Sequence, residues 1–434
     1  MIASRVAEGY RLPAFTDSER VRLFLGTLLY LAQGFPQGVV FYAIPSWLAV
    51  NGQSATVVGS AAAAAMMPWM AKWAVGALMD RYTFMPMGRR RPWLIGAQLC
   101  ITLLFLVYAV ASPLPSETTL VIGFTFALSS LTAVQDVALD ALVIDLTPDG
   151  ERGRLNGFMF GGKLFGIAGG TAVTAYFIQY HGISAAMLAM MALFAIPALA
   201  AIAIRERPVE RLLPWTEGTA SEEGIAVKPE AWRPIFRVAL TALLRRDTLL
   251  VIAMLVTYGV HQTLHEQGGA LFAARILGWG ESAYGNLVGT TNLIVGGLSL
   301  LVGGVLVDRY GPKTTALFGG VAGLVLIGGY AVAETLWASD TIFIAWFLAS
   351  GLFTTLFYLS FLVMAMRVSA KEVAATSFAL IIATHALGSS VGGVVLGPLE
   401  KMGGFTAIFG VAAIAVFVAS LFTLSMRRET AGKL

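Results

Sequence analysis

An all-α membrane protein with twelve transmembrane helices, arranged as two pseudo-symmetric six-helix bundles, is the fold class this sequence predicts. Three observations predict it. The 434 residues are 57% apolar and only 12% charged, with a mean hydropathy of +0.77. A water-soluble chain of this length cannot hide that much apolar surface in an ordinary core. The apolar residues gather into runs long enough to cross a bilayer, whose hydrocarbon core of ~30 Å takes roughly 20 residues of helix. Finally, the loop after the second run recurs after the eighth.

The runs lie near 22–49, 55–79, 92–113, 119–145, 154–180, 184–204, 248–274, 283–307, 314–333, 341–366, 373–398 and 404–426. They are long and continuous, where barrel strands would be short and alternating. Arg5, Glu8, Arg11 and Asp17 break up the chain ahead of the first run, so no removable signal peptide is expected. Pro36 in the first run and Pro68 in the second predict kinks. Glycines crowd the fifth run (157, 161, 162, 166, 169, 170) and the eleventh (388, 392, 393, 397), predicting close helix approaches where two bundles slide. The single cysteine, Cys100, excludes an intrachain disulfide.

Charge sets the orientation. Of the 29 Lys and Arg, 25 fall at or before residue 22, within 81–91, 152–154, 205–246, 309–313 and 367–371, or after 426. All of these lie on one side if successive runs alternate, which predicts both termini in the cytoplasm. Trp47, Trp279 and Trp337 then fall near outer ends and Trp93 near an inner end, as interface anchors do. The polar stretch after 205 leads into an amphipathic segment at 231–246. Trp232, Ile235, Phe236, Ala239, Leu240, Leu243 and Leu244 share one side, with Arg233, Arg237 and Arg245 opposite. It predicts a helix lying on the inner leaflet. The expected organisation is a six-helix bundle over 1–205, a cytoplasmic linker over 206–247, and a second bundle over 248–434. The net charge of +4 is distributed as a topology signal and gives no nucleic-acid signature.

The repeat is specific. After the second run the chain reads Gly76-Ala-Leu-Met-Asp80-Arg81 and then Gly88-Arg89-Arg90-Arg91. After the eighth it reads Gly304-Val-Leu-Val-Asp308-Arg309-Tyr-Gly311-Pro-Lys313. The offset of 228 between Asp80 and Asp308 also carries Tyr30 onto Tyr258, Gln33 onto His261 and Gln37 onto His265. An offset near 222 carries Gly166 onto Gly388, Gly170 onto Gly392 and Lys163 onto His385.

These paired loops resemble the signature of the major facilitator superfamily, over nearly the whole chain. The resemblance implies two bundles rocking about a central cavity lined by spans 1, 4, 7 and 10. The Gly76, Asp80, Arg81, Gly88, Arg89, Arg90 loop and its copy then gate one state, where topology alone is the other reading of the same charges. Lys72, Met79-Asp80-Arg81-Tyr82, Gly88-Arg-Arg-Arg-Pro-Trp93, Gln135-Asp136-x-x-x-Asp140-Ala141 and Glu151-Arg152-Gly153 resemble the branch of AmpG-type muropeptide permeases, acetyl-CoA transporters and siderophore permeases. Span 7 departs from the permease pattern. It carries Gln262-Thr-Leu-His265-Glu266-Gln267 where a Lys-x-Gly-Asp element is expected. The branch is therefore expected, in a bacterial inner membrane, while the departure in span 7 leaves the substrate open among muropeptides, siderophores, acyl-CoA and drugs.

Charges at mid-membrane are costly, at ~2.5–3.5 kcal/mol on insertion scales, and usually face a cavity or a partner. Asp136 and Asp140, four apart, share a face of span 4. Asp136 lies ~15 Å in from the inner end at 1.5 Å per residue. Lys163 sits at similar depth on span 5 and is the expected partner of Asp136, while Asp140 sits at a depth like that of Lys72. Such a pair either takes up a proton when its cation is drawn away or fixes packing permanently. Asp145 is expected to pair with Arg152 or Arg154 at the helix end. Span 7 presents Tyr258, His261, Gln262 and His265 as one stripe with Glu266 beside it, and span 1 presents Tyr30, Gln33 and Gln37. Tyr358 on span 10 and His385 on span 11 complete the candidates. His261 and His265 do not form the His-Glu-x-x-His of zinc hydrolases, so no metal is expected. Gly161-Gly162-Lys163 lies inside a span and cannot cradle a nucleotide, so no cofactor is expected, nor ATP-driven pumping. No nucleophile–base arrangement points to an enzyme. The expected function is secondary active transport of a small organic solute by alternating access, coupled to protons, by a monomer in the lipid bilayer. A membrane assembly factor or receptor that keeps the fold without carrying solute is the alternative.

Overall fold

A computed structural model describes residues 13–148, 152–226, 241, 243–298, 304–368 and 374–426. Residues 231–240 and 242 of the amphipathic stretch expected at 231–246 lie outside the described residues, as do the side chains of Asp80, Arg81, Arg152, Arg154 and Asp308.

Helix α1 (Glu19–Gly38) starts at Ser18, whose hydroxyl accepts from the Val21 N–H at 3.3 Å, with Glu19 in the positive first turn. Pro36 and Pro45 both lack an N–H. Between them the hydrogen-bond ladder widens into a π-helical turn over Val39–Ala43 and resumes as α2 (Ile44–Val50). Ser54 caps α3 (Ala55–Met70), which stops just past Pro68 at Ala71 and continues as α4 (Lys72–Arg81). Both prolines therefore perturb their helices as expected. The chain goes on through α5 (Arg91–Ala111), α6 (Thr118–Leu146), α7 (Arg152–Ala203), the short α8 (Glu222–Ala226), α9 (Arg246–Arg275) and α10 (Glu281–Leu298). It ends with α11 (Gly304–Tyr310), α12 (Pro312–Val332), α13 (Asp340–Val368) and α14 (Ala374–Ser425).

Among the described residues, eight helices are long and apolar enough to cross a membrane, against twelve apolar runs in the sequence. The difference has local causes. Runs five and six are two helices that meet at a non-helical break at Gly182 (φ 84°) within α7, and runs eleven and twelve are two that meet at a break at Gly403 and Gly404 (φ 60° at Gly404) within α14. Run two is split at Ala71, and the part of run eight from 299 to 303 lies outside the described residues, between α10 and α11.

Glycines set how closely the helices pack, and here the structure corrects an expectation. The α7 glycines do not slide between halves; they seat α1. A Cβ on Gly162 would lie 2.6 Å from the Thr27 carbonyl oxygen, and one on Gly34 would lie 2.6 Å from the Gly166 Cα. Gly388 and Gly392 on α14 likewise face Val256 and Val260 of α9. Further along α14, Gly393 and Gly397 reach across to the first half, against Gly59, Ala63 and Thr56 of α3, as Gly285 of α10 does against Ala175 of α7. Large apolar side chains such as Phe24, Leu103, Phe165, Val325 and Val394 are exposed on the outer faces, which is where lipid lies in a membrane protein.

Candidate functional site

The first cluster is built by α1, α4 and α6. Asp136, only 3% exposed, accepts from the Gln33 side-chain amide of α1 and from the Lys72 ammonium of α4. One turn on, Asp140 accepts from the Tyr30 hydroxyl and lies 4.0 Å from Lys72 Nζ. The pairs Tyr30/Gln33 and Asp136/Asp140 are at helical spacing, so two polar stripes meet face to face. The Asp140 side chain is 42% exposed and that of Lys72 28%, so the cluster is open on that side. Gln37, one turn above Gln33, is buried, and its amide nitrogen has no partner among the described residues.

The expected Asp136–Lys163 pair is therefore replaced by Asp136–Lys72. The cause is helix register. On α6, Ser129 donates to the Ala65 carbonyl of α3 and accepts from Trp69 Nε1 at 2.9 Å. Two turns further along both helices, about seven residues, Asp136 meets Lys72. Lys163 comes from α7, and its ammonium lies 5.6 Å from the centroid of the Trp69 ring, which the Lys72 ammonium also approaches, at 5.3 Å.

The second cluster divides α9 into two faces. On one, His261 Nδ1 lies 2.9 Å from the Ala412 carbonyl of α14, and His265 Nε2 lies 2.8 Å from Ser350 Oγ of α13, against the rings of Trp346 and Phe347. Both histidines are buried in contacts within the second half of the chain. On the other face, Gln262 Nε2 donates to Glu266 Oε1 at 3.0 Å, and its oxygen is 2.8 Å from His385 Nε2. Tyr42, following α1, donates to the same Glu266 oxygen at 3.4 Å, and Tyr284 donates to the Glu266 backbone carbonyl at 2.6 Å. Tyr258 stacks on Tyr358 of α13 at 5.4 Å and packs beside His385 at 5.7 Å. Among the described residues no group of His, Cys, Asp and Glu is arranged to hold a metal.

The repeated loop of the first half is held by a residue the sequence reading missed. Gly88 adopts φ 101°, and a Cβ there would run into the Glu206 carboxylate. Glu206 accepts from the Arg89 N–H at 2.9 Å and from the Arg90 and Arg91 N–H groups at 2.6 Å each, capping the start of α5. Burial pushes the Glu206 carboxyl above its ordinary range, with Glu210 adding to the rise and the three N–H donors opposing it. Asp145 pairs with Arg90 Nε at 2.9 Å and with Arg89 at 3.7 Å. Arg91 donates to the Ala201, Ile202 and Arg211 carbonyls. In the second copy, Gly311 (φ 80°) opens α12, Lys313 donates to the Met426 carbonyl at 3.0 Å, and the Arg309 guanidinium lies 5.6 Å from the Tyr310 ring. Gly76 lies in α4 and Gly304 in α11.

Contacts between the halves gather toward the end of the helices away from residues 13–17. There Arg275 binds Glu400 and also reaches the Gln53 carbonyl, at 2.7 Å, while Asn51 reaches Glu281 and Gln179 accepts from the Ser282 N–H. Nearer the middle, Gln267 donates to the Phe41 carbonyl at 3.0 Å.

The family model of the Major Facilitator Superfamily matches residues 26–265 and 267–433. The chain belongs to that superfamily. This superfamily member is accordingly a multi-pass integral membrane transporter and not an enzyme. It is 25% identical over 412 residues to the anhydromuropeptide permease of Escherichia coli strain K12, covering 93% of this chain and 79% of the permease. Among solved structures it resembles a D-xylose–proton symporter, with a TM-score of 0.65 at 16% identity over 95% of this chain and 98% of the symporter. It also resembles a POT family transporter in complex with a thioalcohol-conjugated peptide, with a TM-score of 0.67 at 14% identity over 93% and 95% of the two chains. At these identities the structural likenesses establish the fold alone.

Proposed function

We propose that this transporter moves a small organic solute by alternating access and couples the movement to protons through Asp136 and Asp140. Twelve crossings form two six-helix bundles, over 1–205 and 248–434, joined by a cytoplasmic linker over 206–247. Both termini face the cytoplasm of a bacterial inner membrane, and the monomer is the working unit. The single observation that carries the reading is one ammonium, Lys72, serving two intramembrane carboxylates. When rocking draws that ammonium away, a carboxylate left in a low-dielectric crevice takes a proton, and the return step releases it. The contacts of Arg275, Asn51, Gln179, Gly393 and Gly397 close the far end, so this state is read as open to the cytoplasm. The Glu266 face of α9 supplies the second wall of the cavity, with Gln262, His385, Tyr258 and Tyr358. His261 and His265 hold the second bundle together.

Solute uptake into proteoliposomes with and without an imposed pH gradient tests the coupling. Gradient-driven accumulation is expected. In Asp136→Asn, turnover should fall while membrane insertion survives. Uptake identical with and without the gradient refutes proton coupling.

A further inference from the structure

The two walls of the site handle charge differently. Asp136 and Asp140 share the nearby Lys72, and the Lys163 ammonium acts on both at longer range, so two carboxylates face two cations. Glu266 is set apart from them: among the described residues no Lys or Arg lies within ion-pair distance of it. Its Oε1 is held by two neutral donors, Gln262 Nε2 at 3.0 Å and the Tyr42 hydroxyl at 3.4 Å. The donors differ in origin. Gln262 rides on α9 with Glu266 and is oriented by His385 of α14, whose Nε2 gives its proton to the Gln262 oxygen at 2.8 Å. Tyr42 belongs to the first half of the chain, in the π-helical turn beyond α1. The other titratable neighbours stay within the second half. Tyr284 of α10 donates to the Glu266 backbone carbonyl, His265 turns to Ser350 of α13, and Tyr258, two turns back on α9, stacks on Tyr358.

A hydrogen bond donated to a carboxylate favours its ionised form, and burial without a counter-charge favours the acid. The neighbouring pair Phe41 and Gln267 also bridges the halves at this level. Parting the halves at the far end therefore takes Tyr42 away and leaves Gln262 in place. We propose that Glu266 is a third proton-binding carboxylate, switched by Tyr42 from the opposite half: it takes a proton from water admitted as the far end opens and gives it up as Tyr42 returns. This deepens the alternating-access reading and rests on it. The open form binds the extra proton, so acid favours opening. With Asp136 and Asp140 neutralised the solute cycle does not turn, and Glu266 alone carries no net proton flux.

The test uses the full-length protein without solute in nanodiscs, with Cys100→Ala and spin labels at Gln53→Cys and Met402→Cys. Gln53 meets Arg275 through its backbone carbonyl and Met402 is 81% exposed, so the labels leave the Arg275 contact in place. Asp136→Asn/Asp140→Asn silences the first cluster. Pulsed-EPR distances then give the ratio of open to closed far ends. Between about pH 8 and about pH 5 that ratio should rise by about fivefold, which is what one hydrogen bond of ordinary net strength is worth. Tyr42→Phe should bring the alkaline ratio up to the acid one, and Glu266→Gln should make the ratio independent of pH. A ratio that ignores pH before either change, that rises with alkali, or that keeps its pH dependence in Tyr42→Phe or Glu266→Gln overturns the assignment. A Tyr42→Phe protein more open by the same factor at every pH is merely loosened, and that result overturns it too. Gradient-driven uptake by the wild type is a separate readout. A flat EPR response beside intact coupled uptake removes Glu266 and leaves the transport reading standing.

Discussion

Replacing Lys72 by Gln separates the ion-pair account from simple packing, because one ammonium serves two carboxylates of different exposure. The Asp136 side chain is 4% exposed, so stranding it in the membrane interior is expected to cost ~3–5 kcal/mol. The Asp140 term is smaller. Its side chain is 42% exposed and lies 4.0 Å from the ammonium, so solvent screening holds the contribution to ~1 kcal/mol or less. Asp136→Asn should be milder, at ~1–2 kcal/mol, since Lys72 keeps Asp140 and the new amide oxygen still accepts from Gln33. The double variant Lys72→Gln/Asp136→Asn removes charge and counter-charge together. It should be more stable than the sum of the single losses predicts, by about 2–3 kcal/mol. Unfolding free energies from SDS titration in mixed micelles read all four species. A double variant that shows only the additive loss, or a Lys72→Gln protein as stable as wild type, refutes the shared-ammonium reasoning.

Three further outcomes follow from the same contacts. Glu206→Ala strips the α5 start of its charged acceptor for three N–H groups, and should lower unfolding free energy by about 2–3 kcal/mol in the same titration. His265→Gln should cost ~1 kcal/mol through the Ser350 hydrogen bond, yet leave gradient-driven uptake near wild type, because this ring faces α13 rather than the cavity. Gly393→Leu should abolish uptake while the protein still inserts. The added side chain meets Gly59 and Ala63, and a cysteine placed at Gln53 should become more reactive from outside as that end is wedged open.

Much of this was legible in the residues. The apolar runs located the helices, and the repeated glycine–aspartate–arginine loop marked the family. Spacing alone put Asp136 and Asp140 on one face and aligned Tyr30 with Gln33. Periodicity gives a face, however, and not the neighbour it meets. The partner of Asp136 was set by the register of α3 against α6, fixed by Ser129 with Ala65 and Trp69. The signal available was the depth of Lys72, already matched to Asp140. His261 and His265 looked like cavity residues because they fall on the stripe that repeats Gln33 and Gln37. The rotation of α9 turns them toward α13 and α14, and turns Glu266 toward Tyr42 and Gln262 toward His385. Glu206 opens the polar linker in the sequence, where a carboxylate just beyond an apolar run is ordinary. Its role depends on the return of the chain to the Gly88 turn, more than a hundred residues earlier, which no local pattern encodes.

The central claim is that Asp136 and Asp140 exchange protons as solute crosses. The most direct measurement follows internal pH with a trapped dye in proteoliposomes, under zero initial gradient, when a solute that the protein takes up is added outside. Wild type should move protons together with solute, and Asp136→Asn/Asp140→Asn should move none. Solute entry at full rate with no pH change, or an unaltered pH signal in that double variant, would contradict the account.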